Sequence, residues 1–448
     1  MLATKKLYIQ TFGCQMNVHD SEQIATLLRP HGYEPADRPA EADVILVNTC
    51  SIREKAAQKA YSQLGRYSLL KKRKPELLIA VGGCLAQQYG RKILKRVPLA
   101  DLIFGTHNNH LLPDLLARAA AGRSAVVETA FRESVPSIGF PAEPDRDAVS
   151  AFVTIMQGCN NFCSFCVVPH VRGREESRRT GAILEEIRWL VDRGIREVTL
   201  LGQNVNSYGS TLDDGAGFPR LLREINRIDG LMRIRFTTSH PKDLSDDLIG
   251  CFASEAKLCP HIHLPVQSGS NRILKRMNRR YTREDYMGKV EKLRSACPEI
   301  SITSDMIVGF PGETEADYEQ TLDLMRRVRF DALFSFQYSE REGTAATALQ
   351  GKVPDHRKRE RLRFLQKLQD EHTLEKNRTM LGRDVLVLVE GHSKNAREDM
   401  SGRTTTNRIV NFPGEASLVG KVVPVRITGA YLHSLHGERF KIAGEGSC

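Results

Sequence analysis

The chain has 448 residues, 41% of them hydrophobic and 27% charged, with ten cysteines and a formal charge of +11. That length exceeds one ordinary hydrophobic core and implies roughly two to four domains of soluble globular composition. It contains no apolar run of the roughly eighteen residues that a membrane helix needs, and "MLATKKLYIQ" lacks a signal-peptide core. The expectation is a cytoplasmic protein with no membrane partner, whose cysteines are thiols, metal ligands or catalytic groups rather than disulfides.

Residues 4–125 alternate strand and helix. "KLYIQTFGC" reads as a strand, followed by a helix capped at Asp20 and stopped near Gly32. "ADVILVNTC" is a continuous apolar run of the kind buried on both faces of a parallel sheet. "IREKAAQKAYSQLGRYSLL" is helical, and "ELLIAVGGC" and "ADLIFGT" are further strands. This order predicts an open parallel α/β sheet, flavodoxin-like or Rossmann-like. Three of its strands end in Cys14, Cys50 and Cys84. Sites in such sheets form beyond the carboxyl ends of the strands, so the three thiols can meet there. The alternative is three ordinary buried cysteines.

Residues 126–150, with the proline-rich "VPSIGFPAEPDRDAVS", read as a linker. The second domain, 146–377, carries six strand candidates: "FVTIMQG", "EVTLLGQN", "MRIRFTT", "HIHLPVQ", "SITSDMIVGF" and "DALFSFQYS". Their spacing is that of βα repeats, enough for a partial, TIM-like (β/α)6 barrel rather than a closed one. His261 and His263 alternate onto one strand face, where satisfied core histidines are expected. A charged helix follows, with Leu362, Leu365 and Leu368 on one stripe. Residues 379–446 are short, β-rich and punctuated by Gly, Ser and Asn, the pattern of a small OB-like barrel. That segment holds nine Arg and Lys against seven acidic residues, so charge alone does not make it an RNA binder. Across the chain, however, basic runs such as "KKRKPE", "NRILKRMNRR" and "RKRERLRF" point to a polyanion, nucleic acid first.

"QGCNNFCSFCVV" sets Cys159, Cys163 and Cys166 in a C-x3-C-x2-C array directly after the first strand of the central domain. Three thiols leave a tetrahedral zinc one ligand short. His170 makes a Cys3His site conceivable, although Pro169 and "CVVP" do not suggest a compact finger. A [4Fe-4S] cluster with one open iron suits soft thiolates better.

With Phe165 before its last cysteine, this array resembles the radical S-adenosylmethionine superfamily. The match narrows when "TFGCQMN", "NTCSIREKA", "VGGCLAQ" and "VRGREESR" are added, because together they resemble the methylthiotransferases and their MiaB branch. It extends over essentially the whole chain, since "SGRTTTNRIVNF" resembles a TRAM module. The resemblance implies two [4Fe-4S] clusters. One is held by Cys159, Cys163 and Cys166 and binds S-adenosylmethionine at its open iron; an auxiliary one is held by Cys14, Cys50 and Cys84 and presents sulfur. It implies radical methylthiolation at carbon 2 of isopentenyl-adenosine next to the tRNA anticodon, consuming two S-adenosylmethionines. No catalytic side chain beyond the clusters is implied. By the same analogy Phe165, Gln203, Asn204, Gln267, Ser268 and Gly309 are expected to contact the cofactor. Arg172, Arg403 and Arg408 are expected to contact the anticodon stem-loop. A flavodoxin or ferredoxin as electron donor and a monomeric state complete the expectation. Sibling enzymes act on threonylcarbamoyl-adenosine in tRNA or on an aspartate of a ribosomal protein. A non-catalytic zinc RNA-binding protein is the reading from outside that class.

Overall fold

A computed structural model describes residues 4–51, 54–122, 124–131, 142–144, 147–394, 396 and 398–440. The beginning of the helix read from "IREKAAQK", most of the proline-rich linker stretch and the end of the expected 379–446 domain lie outside the described residues. The chain divides into two compact units. One comprises Met1–Glu143, Met156–Phe162 and Cys166–Arg178; the other comprises Pro144–Ile155, Cys163–Phe165 and Arg179–Cys448.

The first unit is a parallel sheet built from β1 (Lys5–Thr11), β2 (Tyr33–Pro35), β3 (Val44–Thr49), β4 (Leu78–Gly83), β5 (Leu102–Phe104) and β6 (Val126–Glu128). Their order is β2-β1-β3-β4-β5-β6, the flavodoxin-like arrangement extended by one strand. Helices α1 (Gln15–Leu28), α2 (Glu54–Arg73), α3 (Cys84–Tyr89) and α4 (Leu112–Ala121) connect them. β3 is buried at every position, because apolar clusters cover both faces. Leu46, Leu102 and Leu116 belong to one cluster, and Ile45, Val47, Leu64 and Ile79 to the other. Two expectations need correcting. Val126–Glu128 is the sixth strand, not linker. Helix α1 begins at Gln15 with Cys14 as its N-cap, so Asp20 lies inside the helix, buried.

In the second unit, β7 (Ser150–Thr154) pairs in parallel with β10 (Glu197–Leu201), and β10 with β11 (Arg233–Phe236). Likewise β13 (Ser301–Val308) lies between β12 (His261–His263) and β14 (Ala332–Gln337), all parallel. β8 (Met156–Gln157) and β9 (Glu176–Ser177) form a short ribbon flanking α5 (Val168–Arg172), all three in the first unit. The crossovers of the second unit are α6 (Thr180–Asp192), α7 (Phe218–Asn226), α8 (Asp246–Ser254), α9 (Asn271–Arg276), α10 (Arg283–Ala296) and α11 (Glu315–Val328). The six strands of the expected partial barrel thus pair as two three-stranded parallel sheets, in the orders β11-β10-β7 and β12-β13-β14.

Helix α12 (Asp355–Arg378) then packs along β14. Its buried stripe is Arg361, Leu365, Gln369 and His372, so of the expected leucines only Leu365 is fully buried. Last comes a closed barrel of β15 (Asp384–His392), β16 (Asp399–Thr404), β17 (Ile409–Pro413), β18 (Val422–Ala430) and β19 (Leu435–Arg439), in the order β15-β16-β17-β19-β18. Val387, Met400, Phe412, Val425 and Leu435 fill it. This barrel belongs to the second unit. Buried Arg233 and Arg235 on β11 donate to the carbonyls of Leu386, Arg403, Thr404 and Thr405.

Candidate metal centres

The first thiol triple is set by strand register. In the β1–β3–β4 ladder, Thr11 faces Asn48, and Thr49 faces Gly83. Cys50 and Cys84 therefore each follow one member of a register pair, while Cys14 leaves the neighbouring strand at the same edge. Side chains knit this edge together. The Asn17 amide donates to Asn48 Oδ1 at 3.0 Å, Asn48 Nδ2 donates to the Ser21 hydroxyl at 3.0 Å, and the Thr49 hydroxyl donates to the Gly82 carbonyl at 2.5 Å. The approach is close enough to require glycine. A Cβ on Gly13 would lie 2.8 Å from that of Cys50, and one on Gly83 (φ +87°) would lie 2.4 Å from the Thr49 carbonyl oxygen.

Cys50 and Cys84 are buried and Cys14 is half-buried, its thiol donating to Asn17 Oδ1 at 3.3 Å. Burial pushes the Cys84 thiol up to about 12; Cys50 and Cys14 add to that, and the Arg172 guanidinium opposes it. Arg172 is itself buried at the end of α5, paired with Asp20 at 2.5 Å. Val167 and Val171 pack on Cys84, and the Thr106 hydroxyl holds the Val171 carbonyl at 2.5 Å. Three thiols at three strand ends, with a buried cation beside them, match a thiolate-ligated cluster whose negative charge needs compensation.

The second triple lies in one loop, where Gly158 is also irreplaceable: at φ +77° its Cβ would sit 1.9 Å from the Arg174 carbonyl oxygen. Cys159 and Cys163 are buried, Cys166 half-buried. Cys163 faces two nitrogen groups. Arg279 Nη1 is 3.4 Å from its sulfur and His240 Nε2 is 4.0 Å away. His240 follows β11, held by a bond from its backbone N–H to Asn204 Oδ1 at 3.1 Å. Burial, helped by Arg279 and Lys242, pushes its imidazole down to about 2, so the ring is neutral. His240 Nδ1 accepts from the Lys242 N–H at 3.1 Å, which leaves the proton on Nε2, toward the sulfur. His170, the conceivable zinc ligand, is exposed on α5. Among the described residues no group of three His, Cys, Asp or Glu side chains is arranged to hold a single metal ion; in a cubane each thiolate binds a different iron.

The other expected site residues fall into two groups. Phe165 stands edge-on to Phe310 in a small apolar cluster with Ile273 and Met277. Gln267 lies four residues beyond β12, paired with Met306 of β13, in the left-handed region at φ +73°, buried, with no side-chain hydrogen bond among the described residues. Phe165 and Gln267 thus retain surface or bonding capacity for a ligand. Gln203 is half-buried beyond β10.

Five of the expected residues are engaged or covered within the chain. Asn204 spends its amide on Ser207 and Asp243 and its oxygen on the His240 N–H, so it clamps two strand ends together. Ser268, fully buried, accepts from the Ser270 N–H and approaches Thr321. Gly309 (φ +71°) is covered by the stem of Lys358, whose Cγ would be 2.4 Å from an added Cβ. Among the arginines expected to meet RNA, Arg172 is buried beside the first triple and Arg408 is turned inward to Asp331 at 2.7 Å. Arg403 remains about one-third exposed and pairs with Glu390 at 3.2 Å.

Sequence reasoning missed Arg172 as a thiol neighbour, Asp20 as its partner, and His240 and Arg279 beside Cys163. The strand-end rule that found the cysteines also covers His240 in "TTSHP". Nothing local distinguishes Arg279 within "NRILKRMNRR".

Three family models match the chain: Uncharacterized protein family UPF0004 over residues 6–105, Radical SAM superfamily over 153–325, and TRAM domain over 378–440. The tRNA-2-methylthio-N(6)-dimethylallyladenosine synthase of Syntrophus aciditrophicus (strain SB) is 61% identical, covering 98% of this chain and 95% of that relative. The synthase of the same name from Syntrophotalea carbinolica is 53% identical, covering 97% and 100%. Among solved structures, the radical S-adenosylmethionine methyltransferase TsrM from Kitasatospora setae aligns with a TM-score of 0.55 at 15% identity, over 74% of this chain and 73% of that one. The cobalamin-dependent S-adenosylmethionine radical enzyme OxsB aligns at 0.51 and 15%, over 82% and 56%. At such identities these two likenesses show the fold alone.

Proposed function

The chain belongs to the family of tRNA-2-methylthio-N(6)-dimethylallyladenosine synthases, and from that premise we propose that it methylthiolates carbon 2 of dimethylallyladenosine beside the tRNA anticodon. The observation that carries this reading is the double thiol triple, one set at three parallel strand ends and one in the loop after the first barrel strand. Each has a buried arginine at a cysteine sulfur.

The two [4Fe-4S] clusters and S-adenosylmethionine, when bound, supply the electron, the carbon radical, the methyl group and the sulfur. The chain's own work is to hold and orient them. Cys14, Cys50 and Cys84 would hold the auxiliary cluster, and Cys159, Cys163 and Cys166 the one that binds S-adenosylmethionine. Carbon 2 of adenine carries an unactivated C–H bond that no side-chain acid or base can ionise. Gln267, buried with no side-chain hydrogen bond among the described residues, and Phe165 are the side chains we assign to the S-adenosylmethionine contact.

The anticodon stem-loop would be gripped by the terminal barrel. With Arg408 turned inward, exposed Arg383, Lys421 and Arg439 and the exposed ring of Tyr431 are its free surface groups for backbone and base. A one-electron donor of the flavodoxin or ferredoxin class, a monomeric state and a cytoplasmic location belong to the same reading. No helix among the described residues is long and apolar enough to cross a membrane.

Mass spectrometry of tRNA nucleosides from a strain lacking the gene tests the substrate. Accumulated dimethylallyladenosine without its methylthio form is expected. Loss of a methylthiolated threonylcarbamoyl-adenosine instead would transfer the reading to the sibling enzyme. Anaerobic purification should give brown protein with about eight irons per chain, as two cubanes require; zinc without iron would end the radical reading.

A further inference from the structure

Arg279 lies just beyond α9 and is only 5% exposed. Every donor nitrogen of its fork is engaged. Nη2 donates to the Pro265 carbonyl at 2.6 Å, Nε to the Tyr281 hydroxyl at 2.9 Å, and Nη1 to Cys163 Sγ at 3.4 Å. The Tyr281 hydroxyl donates onward to the Val266 carbonyl at 2.8 Å, and the ring of His240 stands edge-on to that of Tyr281. No carboxylate pairs with this guanidinium among the described residues; the groups that act on it are Tyr281 and Cys163. Of the other buried arginines, Arg172 has Asp20, Arg235 has Glu197 and Arg361 has Glu313, while Arg233 gives its fork to the Arg403 and Leu386 carbonyls. A buried cation with no counter-ion carries a desolvation cost, which an anion arriving beside it offsets. Among the described residues, the group in its hydrogen-bond reach that would bring negative charge when a cluster binds is Cys163.

We propose that Arg279 is the built-in counter-charge and N–H···S donor of the iron–sulfur cluster on Cys163, and that it sets the cluster's reduction potential. This rests on the reading above, since it presupposes that cluster. Arg279 is a positioning residue: it acts through the Cys163 sulfur. Reduction adds negative charge to the cluster, so a fixed cation and an N–H aimed at a ligand sulfur stabilise the reduced state and raise the potential. Its geometry is locked by the Pro265 carbonyl and the Tyr281 hydroxyl, a fork that a flexible lysine cannot reproduce. His240, with Nε2–H at 4.0 Å, is the weaker second donor.

The test uses the full chain carrying Cys14→Ala, Cys50→Ala and Cys84→Ala, so that a single cluster is read. Its midpoint potential is followed by electron paramagnetic resonance during an anaerobic redox titration without S-adenosylmethionine. Arg279→Met should shift the midpoint to a more negative potential, His240→Phe should shift it less in the same direction, and Arg279→Lys should fall between parent and Arg279→Met. In the iron-free protein, Arg279→Met should melt at or above the parent, because an uncompensated charge has been removed. An unmoved potential with a lowered iron-free melting temperature would make Arg279 a purely structural residue and overturn the proposal. Should Arg279→Met fail to fold, unmoved potentials in both Arg279→Lys and His240→Phe overturn it equally. A parent that binds no iron removes the functional reading itself, and with it this inference; in that case there is no potential to compare.

Discussion

Single side chains divide the labour between the two thiol triples, and substitution at each has a different expected signature. Cys163→Ala should abolish reductive cleavage of S-adenosylmethionine, read as 5′-deoxyadenosine formed anaerobically. Cys50→Ala should leave cleavage measurable while methylthio transfer stops. Equal loss of both activities in Cys50→Ala would argue against separate roles. Arg172 is a third case. Arg172→Gln would leave Asp20 buried without its partner, at a cost of about 3–5 kcal/mol, and should lower the melting temperature even without iron. That contrasts with Arg279→Met, where no carboxylate is orphaned. The cysteines were legible because strand ends and loop spacing are local features of the sequence. The arginines were not. Arg172 meets Asp20 across 152 residues and Arg279 meets Cys163 across 116, so Arg172 read as a stem-loop contact and Arg279 as one more charge in a basic run.

At the scale of elements, the parallel sheets were readable because a strand covered on both faces must be a continuous apolar run, as in β3. Two short features escaped. Helix α1 starts at Gln15, and its N-cap Cys14 makes no side-chain cap, so the rule that looks for a polar cap placed the start too late. β6 has three residues, each only half-buried, and gives no periodic signal. The turn between β4 and α3 carries Cys84, so its backbone can be tested through the metal. Gly83→Ala places a Cβ 2.3 Å from Asn48 Oδ1 and 2.4 Å from the Thr49 carbonyl oxygen, at a φ of +87°. The turn must move, and Cys84 with it. Iron should fall from about eight to about four per chain while 5′-deoxyadenosine formation persists. Gly194→Ala, also at positive φ but with nothing within 4 Å of the added Cβ, strains the backbone without crowding a neighbour, and should leave iron unchanged. Iron retained in full by Gly83→Ala would show that the turn tolerates displacement.

Across the whole second unit, the terminal barrel is fixed by side chains that no sequence pattern marks. "MRIRFTT" reads as an ordinary strand, yet Arg233 and Arg235 alternate onto one face and reach four carbonyls of the barrel. Arg408 secures the barrel again at Asp331, and Asn377 of α12 donates to the Tyr431 carbonyl at 2.7 Å. The barrel is thus a seated element rather than a tethered one. Arg235→Ala tests this. It removes two bonds to the barrel and strands Glu197, buried and paired at 2.9 Å, for about 3–5 kcal/mol of stability. Cleavage of S-adenosylmethionine should survive at permissive temperature, since no thiol is touched. Binding of the anticodon stem-loop should weaken, because the barrel's cations lose their fixed position. Charge-reversing Lys421 and Arg439 should instead weaken binding while leaving the melting temperature unmoved. It should also flatten the salt dependence by about one unit of slope for each phosphate left without its cation. Measuring the stem-loop dissociation constant at several salt concentrations separates the two effects: a seating defect changes affinity at every salt concentration, and an unneutralised phosphate changes the slope. If Arg235→Ala binds the stem-loop as tightly as the parent, the seat is structural only and the grip lies on the open barrel instead.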